Sequence, residues 1–164
     1  MVASSHTLTV TTPSELEIVM TRVFDAPREL VWEALSKPQH MREWWGPRGF
    51  TMPVCEMDFR PGGAYRFVQQ GPDGAEYGFR GEYREIVPPE RIAWTFEFEG
   101  MPGSISLDTM TLTEEDGKTT ITSTSVFDSV EQRDGMLESG METGAAETYD
   151  RLAELLEKMQ ENRS

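Results

Sequence analysis

Cysteine and histidine are nearly missing from this chain of 164 residues: Cys55 is its one thiol, and His6 and His40 are its two imidazoles. A lone cysteine closes no internal disulfide, which fits a reducing compartment, and so few soft or borderline ligands exclude a structural zinc or a catalytic metal cluster. Positive charge is also scarce. Lys and Arg number 15 against 29 Asp and Glu, for a formal net charge of -14, and no Lys/Arg-rich run occurs. Nucleic acid and anionic membrane surfaces both require a basic patch, so neither is an expected partner. No stretch approaches the roughly 18 apolar residues of a membrane span, and Met1 to Pro13 lacks the charged and apolar regions of a secretory signal. The expectation is a cytoplasmic protein without membrane insertion. Asn162-Arg163-Ser164 matches a glycosylation sequon and is read as a chance match in the tail.

Catalytic signatures are missing too. The chain has no G-x-S-x-G elbow, no H-E-x-x-H, no G-x-G-x-x-G after a strand and no C-x-x-C. Gly117-Lys118-Thr119 echoes the end of a phosphate loop, but Leu112 stands where the leading glycine belongs and no helix follows, so it reads as a hairpin turn. No cofactor is expected.

What the chain does have is enough length for one domain with a proper core, burying roughly 70% of its unfolded surface. Ser4 to Ser14 is an arm or an extra edge strand, which sets the boundaries at 1–14 for that segment and 15–161 for a single domain. Leu16, Ile18, Met20 and Val23-Phe24 predict a first strand, and Asp25-Ala26-Pro27 then starts a helix whose apolar stripe is Leu30, Val31, Ala34 and Leu35. Ser36-Lys37-Pro38 stops it before a second short helix over Gln39 to Trp44. From Phe50 to Phe127, five turns separate six strands: Arg60-Pro61-Gly62-Gly63, Gly71-Pro72-Asp73-Gly74, Pro88-Pro89, Gly100 to Gly103, and Asp116-Gly117. Loops this short join only antiparallel neighbours. Ile86 falls on the wrong parity relative to Tyr83, which predicts a bulge or strand end near Glu85. Ser129-Val130-Glu131-Gln132 has the spacing of a capping box, and Leu137, Met141, Ala145, Thr148, Leu152, Leu155 and Met159 then predict one long amphipathic helix to Gln160. Gly135, Gly140 and Gly144 each cost such a helix about 1 kcal/mol relative to alanine, which calls for a kink or a close backbone approach.

The inward positions carry an excess of large soft side chains: Trp44, Trp45, Tyr65, Phe67, Phe79, Tyr83, Trp94, Phe96, Phe98, Met110 and Met141. An ordinary core is the plain reading of such a set. A single curved sheet closing on one helix leaves space between them, however, and methionines with aromatics suit a pliable apolar ligand surface on which Tyr and Trp supply orienting donors. Asp108 shares parity with Met110 and Leu112, so it points inward as an acid/base candidate or sits at the solvated start of its strand. Glu97 reads as a solvated face residue, His40 as exposed or capping, and Cys55 as core.

The order strand, two helices, six strands, long helix, together with specific strings, resembles the START-like (SRPBCC, helix-grip) superfamily. Within it the chain is similar to the bacterial branch named for homology to the activator of the heat-shock-protein-90 ATPase. The strings are Phe24-Asp25-Ala26-Pro27, Val31-Trp32-Glu33-Ala34-Leu35, Trp44-Trp45-Gly46-Pro47, Asp58 to Phe67 (DFRPGGAYRF) and Gly81 to Ile92 (GEYREIVPPERI). Gly140-Met141-Glu142-Thr143-Gly144 leading to Tyr149-Asp150-Arg151-Leu152 completes the set. The resemblance implies an α+β fold in which a curved antiparallel sheet of about seven strands wraps a long C-terminal helix, with two short helices after the first strand. It also implies a cavity between sheet and helix, with Trp44-Trp45-Gly46-Pro47 as a gate or an anchor at its mouth; Tyr149 and Asp108 join the aromatic and methionine set as the expected ligand-binding residues. The expected function is binding of a small hydrophobic or aromatic molecule. The alternatives are a cyclase or hydratase using Tyr or Asp108, and a cochaperone-type interaction module; a homodimer is among the open oligomeric states.

Overall fold

Two strands open the chain: β1 (Thr9–Thr11) and β2 (Glu17–Phe24). The structure, a computed structural model, describes residues 7–163. Residues 1–6 of the arm expected over 1–14, and Ser164 of the sequon, lie outside the described residues. Within the rest of that arm, Val10 sits opposite Met20 and Thr11 opposite Val19, so β1 is an edge strand and the sheet has eight strands where about seven are expected.

At the end of β2, Pro27 takes the N-cap of α1 (Arg28–Ser36), accepting from Leu30 N–H at 3.0 Å, a position that needs no donor from proline. Lys37, in extended backbone, separates α1 from α2 (Pro38–Trp44). Six strands then run as a meander: β3 (Thr51–Met57), β4 (Ala64–Gln70), β5 (Glu76–Val87), β6 (Arg91–Phe98), β7 (Ile105–Glu115) and β8 (Lys118–Val126). All pairings are antiparallel, in the order β1-β2-β8-β7-β6-β5-β4-β3, so α1 and α2 carry the chain across from β2 to the far edge. The register of β5 against β6 slips between Tyr83 and Glu85, where parity predicts an irregularity. Asp116 and Gly117 turn the β7–β8 hairpin with φ of 54° and 78°, which accounts for the Gly-Lys-Thr string without a phosphate.

The single long helix expected from Ser129 is two helices, α3 (Val130–Glu138) and α4 (Met141–Arg163). Gly140 breaks them with φ +84°, a left-handed conformation that glycine adopts freely and that no α-helix contains. Ser129 does cap α3, its Oγ accepting from Gln132 N–H at 3.1 Å, while Gln132 Oε1 accepts from Asp128 N–H rather than from Ser129.

One half of the space between sheet and helices is solid. Leu30, Val31 and Ala34 of α1 and Leu152 and Leu156 of α4 pack on Phe24, Leu112 and Ile121, all essentially excluded from solvent. Large aliphatic and aromatic side chains buried this way stabilise the fold by about 1.5–3 kcal/mol each.

Candidate functional site

The other half is hollow. A cavity of about 390 Å³ lies between the inner sheet face and the helices. Its end is sharp: Ile18 and Met20 of β2 line it but Arg22 and Phe24 do not, and Met110 of β7 and Ser123 of β8 line it but Leu112 and Ile121 do not. Met136 of α3 and Met141, Ala145, Thr148 and Tyr149 of α4 roof it, with Met41 and Trp44-Trp45-Gly46-Pro47 at one side.

Of the residues expected at a ligand site, Trp44, Trp45, Tyr65, Phe67, Phe79, Tyr83, Trp94, Phe96, Asp108, Met110, Met141 and Tyr149 are on this wall. Phe98 is the exception. It shares the face but lies farther along β6, its ring 5.3 Å from Phe79 and 6.4 Å from Tyr77, beyond the cavity. Alternation along a strand reports which face a side chain is on and says nothing of how far the hollow extends.

The aromatic wall is a continuous mesh. Trp45 lies 5.0 Å from Phe67 and 5.2 Å from Phe79 between ring centroids, and Tyr65 lies 5.3 Å from Tyr83. Such ring pairs add about 0.5–1.5 kcal/mol each beyond their burial, which stiffens the wall. Two polar handles are already engaged: Trp44 Nε1 donates to the Ala34 carbonyl at 3.0 Å, and the Tyr65 hydroxyl donates to the Thr95 carbonyl at 2.6 Å. Trp44 also stacks on Tyr149, with ring centroids 6.5 Å apart. The Trp44-Trp45-Gly46-Pro47 segment is anchored to α4 by Arg151, whose guanidinium donates to the carbonyls of Glu43, Gly46 and Pro47 at 2.9–3.1 Å. Gly46 has φ +108°, and a Cβ there would fall 2.2 Å from Gln69 Nε2, so only glycine brings this segment onto β4.

The floor on β7 and β8 is different. Ser106, Asp108, Ser123 and Ser125 make a polar strip in a mostly apolar wall. Asp108 points inward. It faces Trp94 on β6 and Ser125 on β8 in register, so it lies in the middle of the sheet, with its strand already three residues old. Ser106 Oγ donates to Asp108 Oδ1 at 2.9 Å, and the Ser125 hydroxyl also hydrogen-bonds the carboxylate. Burial nevertheless outweighs both donors and pushes the Asp108 carboxyl up to about 6. By surface exposure Asp108 is only half-buried, because its open side faces the cavity and not the bulk. Burial likewise raises Tyr65 and Tyr83, and holds Tyr149 at about 12 although Ser123 hydrogen-bonds it.

The remaining candidates are elsewhere. Glu97 is on the outer face, accepting from Arg80 Nε at 3.0 Å and from Gly103 N–H at 2.7 Å. His40 lies in α2 outside the cavity wall, its Nδ1 4.0 Å from Glu43. Cys55 is buried, as expected of a core residue, and its thiol is pushed up by that burial, with Arg42 opposing the shift. Among the described residues, no cluster of His, Cys, Asp and Glu is arranged to hold a metal, and no helix is long and apolar enough to cross a membrane.

Ser106, Ser123, Ser125, Gln69 and Met20 also line the cavity, and sequence reasoning did not find them. In β8 the run Thr119-Thr120-Ile121-Thr122-Ser123-Thr124-Ser125 has too little hydrophobic contrast to reveal a face. The pairing of Ser125 with Asp108 becomes visible only in register.

No curated protein matches the chain. Among solved structures, a protein from Rhodobacter sphaeroides is 28% identical, with 93% of this chain and 99% of that one covered and a TM-score of 0.87. One from Nitrosomonas europaea is 26% identical over 91% of this chain and 99% of that one, with a TM-score of 0.82. A third, from Mycobacterium smegmatis, is 27% identical over 90% and 97%, with a TM-score of 0.79. Residues 25–157, which run from the bend before α1 through most of α4 and contain all of the cavity wall except Ile18 and Met20, match the family described as Activator of Hsp90 ATPase homolog 1-like protein, and the chain belongs to that family.

Proposed function

We propose that the protein is a cytosolic binding protein that encloses a small, mostly hydrophobic molecule between sheet and helices. One observation carries this: beside a solid half-core sits an aromatic-lined cavity of about 390 Å³, within the size range of ligand pockets. Domains ordinarily pack their interiors to crystal-like density, so a hollow of this size costs stability that folding alone does not repay. The preformed ring mesh and the Arg151 anchor support a wall that is ready before the ligand arrives, which limits the ordering cost of binding.

Trp44, Trp45 and Trp94 line the space, so ligand entry reports directly in their fluorescence. Titration with a panel of lipids, sterols and aromatic metabolites should give saturable quenching or a spectral shift for one chemical class, and Trp45→Ala should weaken it about tenfold or more. Flat responses across the panel, with no thermal stabilisation, would remove this reading.

Catalysis of cyclase or hydratase type is a second reading, favoured by one observation: Asp108 sits in the hollow with its carboxyl raised toward neutrality, where acid/base catalysts operate. Turnover of a polyketide-like substrate that disappears in Asp108→Asn while binding persists is the result that would select it.

A further inference from the structure

The cavity contains a single carboxylate and no cation: among the described residues lining it, Asp108 is the only Asp or Glu, and there is no Lys, Arg or His. We propose that its ligand is a hydrophobic amine, an organic cation whose ammonium group pairs with Asp108 and whose apolar body fills the aromatic wall. The inference rests on the binding reading above and adds the ligand's chemical class.

Three features of the site converge on a cation. The Asp108 carboxylate has about four acceptor positions, and the hydroxyls of Ser106 and Ser125 supply two donors, which leaves acceptor capacity on the cavity side. A buried carboxylate is best compensated by a full positive charge, since a charge-assisted hydrogen bond is about twice as strong as a neutral one. Aromatic residues surround the carboxylate: Trp94 is its register neighbour on β6, Phe96 follows two residues on, and Tyr65, which interacts with it electrostatically, is on the same wall. Aromatic faces attract ammonium groups but offer little to a neutral hydroxyl and repel anions. The net charge of -14 adds a long-range field that draws cations and turns anions away.

The other groups around Asp108 do not supply the missing charge. Tyr65 from β4 and Tyr149 from α4 both interact with it electrostatically, and burial keeps both neutral. Arg22, the one cation on the inner face of β2, lies beyond the cavity's end and is committed to Asp150 at 2.6 Å. Because the carboxyl titrates near 6, it is ionised at pH 8 and ready for a cation.

The test uses three probes of one shape and different charge: 4-phenylbutylamine, 4-phenylbutan-1-ol and 4-phenylbutyrate, titrated at pH 8 by calorimetry and tryptophan fluorescence. The amine should bind about tenfold or more tighter than the alcohol, and the carboxylate probe most weakly. In Asp108→Asn the amine's margin over the alcohol should fall to within about threefold, while the variant's thermal melt and tryptophan spectrum certify that it is folded. Amine and alcohol binding equally to the native protein would overturn the amine class while leaving the binding reading in place. An alcohol that binds best and is lost in Asp108→Asn would assign the carboxyl to a neutral hydroxyl instead. If none of the probes binds and the broader panel is also silent, the binding reading fails and takes the inference with it.

Discussion

Arg22 and Asp108 both project from the inner face of the same sheet, yet only one of them has a counter-charge. Arg22 is in the solid half, its side chain 2% exposed, with Asp150 of α4 at 2.6 Å and the Phe24 ring 5.2 Å beneath its guanidinium. Asp108 is in the hollow half, where the hydroxyls of Ser106 and Ser125 hydrogen-bond it and no cation lines the wall among the described residues. A buried charge that is paired belongs to the architecture, because removing either partner strands the other. One left unpaired against an open space gives the fold nothing in return for its desolvation, and this is the ordinary signature of a functional group.

The largest expected effect breaks the paired side. Asp150→Ala leaves Arg22 buried with no counter-ion, and its Nε already has no hydrogen-bond partner. The loss should be about 2–4 kcal/mol, reduced from the fully buried case because Asp150 is itself half-exposed, and urea denaturation would measure it. Adding Arg22→Met should recover most of that loss, since an apolar side chain tolerates the site that a stranded guanidinium does not. A neutral Asp150→Ala would mean the pair is not structural, and the contrast with Asp108 would collapse.

The unpaired side should respond with the opposite sign. Asp108→Asn is expected to raise stability at pH 8 by about 1–3 kcal/mol. The carboxyl is raised in the folded protein to about 6, above its unfolded value, so between those two values the folded state binds more protons than the unfolded one. Native stability therefore falls as pH rises through that window. The advantage of asparagine should be complete above pH 6 and gone below about pH 4, which parallel thermal melts of the two proteins would resolve. A destabilised Asp108→Asn at pH 8 would show that the carboxylate is a structural group like Arg22.

Much of the architecture was legible in the residues. Each turn of the meander carries its own chemistry, as at Asp116-Gly117, and the slip near Glu85 announces itself as a break in parity. The break between α3 and α4 was only half legible: the cost of Gly140 inside a helix calls for a kink, but Leu137 and Met141 keep helical spacing straight across it, so a full break hides inside an unbroken stripe. The aromatic wall could be read because large rings on one parity must share a face. Its limit could not, and Phe98 shares that face but lies beyond the hollow. The polar strip was harder still. Charged residues default to the outside in a pattern reading, so Arg22 is passed over although it shares parity with Ile18, Met20 and Phe24, and Asp108 is ambiguous until the first residue of β7 is known to be Ile105.

The finest test asks which protein groups hold the Asp108 charge. Ser106 Oγ donates to it at 2.9 Å, and Ser106→Ala removes that donor while leaving Ser125 in place. A hydrogen bond to the charged form favours ionisation, so its loss should move the Asp108 titration upward from about 6 by roughly half a unit to one unit. Carboxyl carbon NMR would follow this residue by residue. The accompanying loss of stability at pH 8 should be about 1 kcal/mol, shrink toward pH 4 as the carboxyl protonates, and vanish in an Asp108→Asn background. If the titration does not move, water in the hollow rather than the serine strip solvates the carboxylate. An amine would then have to displace that water to reach Asp108, and its margin over the alcohol would narrow accordingly.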